Sequence, residues 1–225
     1  MDELKIERKV FCEDAISWLN NFELHSGHSF LGSLPDISEF PGYSLERWKE
    51  WFEQTAALIL SKTSPEGVAI FFQSDIKFEN EWVDKGYLVQ KAAEKLGHKL
   101  LWHKIFCRVP PGMITFGRPA YSHMLCFSKT VVPDLSKSTA DVIPDLGDKT
   151  WVRGMGLEAS LVACHFILNE TSTRTLVNPF CGEGSVLAAA NFVGLHAVGI
   201  ERSPKRAEKA QLLQVASNGK TWRDK

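Results

Sequence analysis

The sequence predicts an α/β domain built on a mainly parallel, seven-stranded sheet with an antiparallel hairpin at one edge. Three observations lead there. Strand-length apolar runs alternate with segments of helical spacing along nearly the whole chain. The run Val68-Ala69-Ile70-Phe71-Phe72 is continuously apolar, as expected of a strand covered on both faces. The 225 residues, 44% of them hydrophobic, can supply the core of one domain, 1–225, without a second.

The elements follow in order. Residues 5–12 read as a strand, followed by a short helix through Trp18 and Leu19, and 28–32 as a second strand ending at Gly32-Ser33-Leu34-Pro35-Asp36. Ser44 is placed to cap a helix whose apolar residues Trp48, Trp51, Phe52, Leu58 and Ile59 recur at helical spacing. After the apolar strand at 68–72, a helix is expected over 82–96, closed by Gly97. Residues 99–107 and 120–128 read as two strands of a hairpin, joined by a loop rich in Pro and Gly. Residues 130–150 lack periodicity and read as a connection between a front half, 1–129, and a back half, 151–225. The back half then gives a helix marked by Leu157, Leu161, Cys164, His165 and Leu168, and a strand at 173–177. A helix at 186–193 closed by Gly194, a strand at 196–200, and a helix opened by Ser203 and Pro204 complete it.

Charge narrows the classes of partner. With 26 Lys and Arg against 27 Asp and Glu, no global field draws the chain to a polyanion. The distribution is uneven, however: residues 1–94 carry 9 basic and 17 acidic side chains, whereas 95–133 carry 6 basic and none acidic. There Lys95, Lys99, Lys104, Arg108, Arg118 and Lys129 alternate with Trp102, Phe106, Phe116, Tyr121 and Phe127, the mixture that pairs phosphates and stacks bases. For most of these residues strand core and solvated edge explain the pattern as well; the loop from Arg108 to Arg118 is the exception. Five scattered cysteines without a C-x-x-C pair point to a reducing compartment, and the start Met1-Asp2-Glu3-Leu4-Lys5 is unlike a secretory signal. A cytoplasmic protein, or a nuclear one if eukaryotic, is expected, without membrane contact.

The most informative segment is Thr175–Ser185, a strand running into the turn Cys181-Gly182-Glu183-Gly184 that opens a helix. Glycines of this kind allow close backbone approach to a ligand. Glu201, 17 residues past Gly184 at the end of the next strand, is placed to accept from both hydroxyls of a ribose. A dinucleotide site would want a small residue three positions after Gly184, and Leu187 stands there.

Asn178-Pro179-Phe180-Cys181-Gly182-Glu183-Gly184 resembles the D-P-F-x-G-x-G motif of S-adenosylmethionine-dependent methyltransferases, particularly those that methylate amino groups of DNA and RNA; Asn replaces the first Asp. Glu13-Asp14-Ala15-Ile16-Ser17-Trp18-Leu19 resembles that family's adenine-contacting D-A-x-x-W-L segment, which here lies at the front of the chain. The resemblance therefore implies a Rossmann-like methyltransferase fold in circularly permuted order, with S-adenosyl-L-methionine as cofactor. The cofactor set it implies is Asp14, Ala15, Gly156, Asn178, Pro179, Phe180, Gly182, Gly184, Glu201 and Arg202, Gly156 belonging to Gly154-Met155-Gly156-Leu157 beside the methionine end.

In the permuted members a [D/N/S]-P-P-[Y/F/W] tetrapeptide holds the amine to be methylated. Ser33-Leu34-Pro35-Asp36 occupies that place, matching at Ser33 and Pro35 and departing at Leu34 and Asp36. The expected catalytic residues are Ser33, Pro35 and Asp36. The Asp36 carboxylate cannot stack on a base but can orient an amine or accept a proton from a hydroxyl. Topology brings Asp75, Lys77, Arg108, Arg118, Tyr121 and His123 to the same edge as substrate contacts.

The resemblance implies a methyltransferase of nucleic acid, with the basic aromatic hairpin favouring RNA over DNA. Two alternatives stay open: a methyltransferase of small molecules or proteins, and a silent cofactor-binding subunit that supports an active protein partner. No metal site is expected, because His25-x-x-His28 lacks further ligands. Cys181 reads as filler, despite its place near a helix N-terminus, and His165 as a core or boundary histidine.

Overall fold

Residues 5–23 and 27–223 are described in a computed structural model. Strand β1 (Arg8–Phe11) leads to α1 (Ala15–Asn21), which starts where the Asp14 carboxylate accepts from Ser17 N at 2.9 Å. Strand β2 (His28–Gly32) is followed by α2 (Leu45–Ser61), capped by Ser44 Oγ, and β3 (Ala69–Gln73), buried along its whole length. A small hairpin, β4 (Ile76–Phe78) and β5 (Glu81–Val83), precedes α3 (Lys85–Lys95). Next come β6 (Lys99–Cys107), β7 (Tyr121–Ser128) and the two-residue β8 (Val142–Ile143). The back half comprises α4 (Leu157–Glu170), β9 (Thr175–Asn178), α5 (Ser185–Phe192), β10 (His196–Ile200) and α6 (Pro204–Leu212). A short pair, β11 (Gln214–Val215) with β12 (Trp222–Arg223), follows.

The main sheet runs β1-β10-β9-β2-β3-β7-β6-β8. All its neighbours pair in parallel except β7, which is antiparallel to both β3 and β6. It has eight strands rather than the expected seven, because β8, inside the 130–150 connection, adds to β6 at Ile105–Phe106. The hairpin β6–β7 therefore does not form the outermost edge. The helix expected from 82 begins at 85, since Glu81–Val83 pair with β4 across a turn in which Glu79 and Asn80 both have positive φ.

One face of the sheet is covered by α1, α2 and α3, with Trp48 and Phe52 at its centre, and the other by α4 and α5 with Ala210 of α6. The front and back of the chain are interleaved: β9 and β10, from the back half, fill the space between β1 and β2. Arg8 ties them together. Its guanidinium donates to Asn191 Oδ1 at 2.7 Å and to the carbonyls of Ala210 and Leu213 at 2.9 and 2.6 Å. Burial lowers its pKa to about 10, which leaves it a cation at neutral pH.

In the basic segment, Phe106 and Phe127 are core and Trp102 packs edge-on against Phe166; Lys104 is buried rather than a solvated edge, donating to the carbonyls of Thr139 and Ala140. Among the aromatic residues singled out there, Phe116 alone is fully presented to solvent, at 92% exposure. His165, expected at the core or its boundary, is exposed on α4.

Candidate functional site

Because β1, β10, β9, β2, β3 and β6 point the same way, their carboxyl ends share one rim. The connections diverge between β9 and β2: α5 carries the chain from β9 to β10 on one side, and α2 carries it from β2 to β3 on the other. Ligands of open α/β sheets bind in the crevice at such a divergence. A cavity of about 790 Å³ opens there, lined from both halves of the chain.

At one end of the cavity stand Asp14 and Ala15 after β1, Glu201 and Arg202 after β10, and Pro179, Phe180 and Gly182 after β9. Asp14 caps α1 through Oδ1. Glu201 accepts from Ser203 N at 2.9 Å and lies 3.8 Å from Arg206, both contacts falling on Oε1. The indole of Trp151, under the Arg206 guanidinium, covers the glycine turn, and a Cβ on Gly182 would come within 3.3 Å of it.

At the other end, after β2, are Ser33, Pro35 and Asp36. Ser33 Oγ donates to the Phe72 carbonyl at 2.6 Å, and the Pro35 carbonyl accepts from Trp48 Nε1 at 3.3 Å. The Asp36 carboxylate faces Lys85, whose amine is 3.4 Å away and almost entirely buried. Burial pushes the Lys85 pKa down, and Asp36 pulls it back towards its usual value.

Asp75, also in the wall, is buried and saturated. It accepts from Lys85 N at 3.0 Å and Trp82 Nε1 at 3.2 Å, and lies 3.0 Å from His123 Nε2 and 3.5 Å from the Tyr121 hydroxyl. Burial alone would raise its pKa; the hydrogen bond and charge of His123, then Lys85 N and Trp82, hold it below the usual carboxylate value instead. His123 Nδ1 continues the chain to His103 Nε2 at 2.8 Å. Oxygen and nitrogen atoms of Asp75, Asp84 and His123 lie within 4.8 Å of one another. Each is already engaged, Asp84 by capping α3 at Tyr87 N.

Lys77, Arg108 and Arg118 line the cavity as well. Five residues expected at the site do not. Tyr121 and His123 sit behind Asp75, with His123 facing a separate recess beside α3. Asn178 is turned inward, accepting from Phe180 N at 3.2 Å. Gly156 caps α4 and lies so close to Leu146 that a Cβ would be 2.0 Å from its carbonyl oxygen. Gly184 packs on α6: with φ of +86°, its Cβ would fall 2.5 Å from Ala210 Cα. Its close approach is therefore to a helix, not to a ligand. Leu187 is likewise buried against Gly199 rather than set over the turn.

Burial, then Glu201, pushes the Cys181 thiol up to about 12, in keeping with a packing role. His28 is buried with its ring nitrogens on Ser64 Oγ and the Lys62 carbonyl, and His25 lies outside the described residues. Sequence reasoning missed Lys85, Lys149, Trp151, Arg153 and Arg206. None of them carried a local signal, because tertiary packing brings each to the cavity.

No protein-family model and no curated protein matches the chain. Solved structures do. A putative DNA modification methylase from Thermus thermophilus, complexed with S-adenosyl-L-methionine, aligns at TM-score 0.69 and 18% identity over 90% of this chain and 91% of its own. The chain has a methyltransferase fold. The PvuII DNA methyltransferase, described as cytosine-N4-specific, aligns at TM-score 0.69 and 13% identity, covering 91% of this chain and 85% of its own. The M1.HpyAVI–SAM complex aligns at 0.61 and 13%, covering 91% and 97%. In this methyltransferase fold no helix among the described residues is long and apolar enough to cross a membrane.

Proposed function

We propose that the protein is an S-adenosyl-L-methionine-dependent methyltransferase acting on nucleic acid. One observation carries the proposal: a single cavity joins Asp14 and Glu201, from opposite ends of the chain, with the glycine turn and with Ser33–Asp36. Its size lies within the range of small-molecule sites. The acceptors suit the cofactor, with Glu201 Oε2 available to ribose hydroxyls and Asp14 to an adenine amine. Reading the strands from β9 through β10 to β1 and on from β2 makes the chain a circular permutation of the methyltransferase order, and that too is part of the proposal.

The bound cofactor supplies a methyl group on a positively charged sulfur. Transfer forms a bond from the nucleophile to that carbon, returns the carbon–sulfur electron pair to sulfur and releases a proton from the nucleophile. The protein's task is alignment and proton acceptance. Asp36, held by Lys85, is the acceptor best placed to orient an N–H or O–H. Pro35 fixes the turn that presents it, and Ser33 ties that turn to β3.

Nucleic acid is favoured by the cationic loop at the mouth and by Phe116, exposed for stacking. The lean of the sequence towards RNA gains no support from the solved neighbours, whose names are those of DNA methylases. Five free thiols suit the reducing, cytoplasmic setting. A second reading, a silent cofactor-binding subunit, is favoured by Asp36 standing where an aromatic ring would stack. Calorimetric titration with S-adenosylmethionine and NAD tests the cofactor: a single site for the former and none for the latter is expected, and the reverse overturns the assignment. Transfer of labelled methyl to DNA and RNA then separates enzyme from silent subunit.

A further inference from the structure

Eight cations line the cavity; Lys77 lies over the Trp82 ring and Arg202 follows Glu201 in sequence, and the other six differ in their partners. Lys85, Arg153 and Arg206 each face a carboxylate, from Asp36, Glu39 and Glu201 respectively. Arg108, Arg118 and Lys149 have no ion pair with any described residue, although all three line the same wall. Arg108 follows β6, Arg118 closes the loop that returns to β7, and Lys149 comes from the connection beside α4, so three separate segments converge. The loop that carries Arg118 is closed at its base, where Arg108 N donates to the Ala120 carbonyl at 2.7 Å.

Like charges brought together without a counter-ion repel, and the repulsion is felt here. Burial, then Arg118, lowers the Arg108 pKa, while loss of solvent, then Arg108, lowers that of Lys149. Two acidic groups of the same wall are already engaged. Asp36 is taken up by Lys85, and Asp75 by Lys85 N, Trp82, His123 and Tyr121. The amide Nε2 of Gln73, buried in the same wall, also lacks an acceptor among the described residues. The wall thus offers donors in excess and asks for a ligand that is anionic and rich in acceptor oxygens.

We infer that Arg108, Arg118 and Lys149 form a phosphate-binding subsite at the mouth of the cavity, which holds a phosphodiester of the substrate strand. This rests on the methyltransferase reading for its substrate and adds the place where the strand is held: backbone at the mouth, methyl-accepting group inside. The guanidinium groups suit phosphate oxygens as paired donors, and Lys149 adds a point charge.

The test is anisotropy of labelled single-stranded DNA and RNA oligonucleotides over a salt series, with nucleoside monophosphate and inorganic phosphate as separate ligands. Arg108→Gln, Arg118→Gln and Lys149→Gln are each expected to weaken strand binding roughly five- to tenfold and to lower the salt slope by about 0.7. Thermal melting and S-adenosylmethionine affinity serve as folding controls. Unchanged strand affinity and slope in all three variants, with cofactor binding intact, overturns the subsite and spares the methyltransferase reading. A wild-type protein that binds strands through these residues but no S-adenosylmethionine does the opposite. Monophosphate bound as tightly as the strand would overturn the phosphodiester source in favour of a small phosphorylated substrate.

Discussion

Glu201 and Asp36 mark the two ends of the cavity, and each can be changed without opening a hole in the core. Glu201→Gln keeps the shape and removes the charge, so S-adenosylmethionine affinity should fall about tenfold by calorimetry. Asp36→Ala should lower methyl transfer by about 10²–10⁴-fold while cofactor affinity stays near wild type; unchanged turnover removes Asp36 from catalysis. A third side chain, His98, titrates away from the site. It is buried, neither ring nitrogen makes a close hydrogen bond, and burial followed by the charge of Lys129 lowers its pKa to about 4. The unfolded chain binds that proton at about 6.5, so the stabilisation is complete above that pH and drains away between there and about 4. His98→Phe should flatten urea-denaturation stability across this window; an unaltered pH slope would clear the histidine. At this scale the sequence was legible where a residue sits at a strand end, as Asp14, Asp36 and Glu201 do. Lys85 and Lys149 were not, because what brings them to the cavity is tertiary packing that no spacing encodes.

One helix start with a side-chain cap was readable in advance, Ser44 capping α2 through its hydroxyl; the caps Asp14 of α1 and Asp84 of α3 were not read as such. Strands of two or three residues were not, since β4, β5, β8, β11 and β12 are too short to establish a period. The start of α3 was misplaced because Trp82 and Val83 satisfy helical spacing equally well, and pairing with β4 decides between them. The glycine turn was recognised as demanding, but the demand at Gly184 comes from α6. Gly184→Ala should therefore cost roughly 2–4 kcal/mol in urea unfolding, from left-handed strain and the clash with Ala210. Gly42→Ala, at φ of +82° with nothing within 4 Å, should cost only about 1 kcal/mol. Equal losses would show that backbone conformation alone matters.

For the whole molecule, the parallel order and its single reversed strand were legible from the alternation of elements and the Pro/Gly-rich loop. What periodicity alone left hidden was how tightly the two halves depend on each other. Arg8 anchors α5 and α6 to β1, so Arg8→Met should unfold at lower denaturant by about 2–3 kcal/mol, since it leaves the carbonyls of Ala210 and Leu213 without their donor. S-adenosylmethionine affinity should fall with it, because β1 and α6 flank the Asp14 and Glu201 end; a variant of normal stability would mean the clamp is dispensable.

The interleaving also has a price in time. A growing chain emerging from the ribosome has β1 and β2 long before β9 and β10, and until then two strand edges that belong beside those late strands have no partner. Folding of the sheet must wait until β9 and β10 have been made, and until then β1 and β2 keep open edges of the kind that invite wrong pairing.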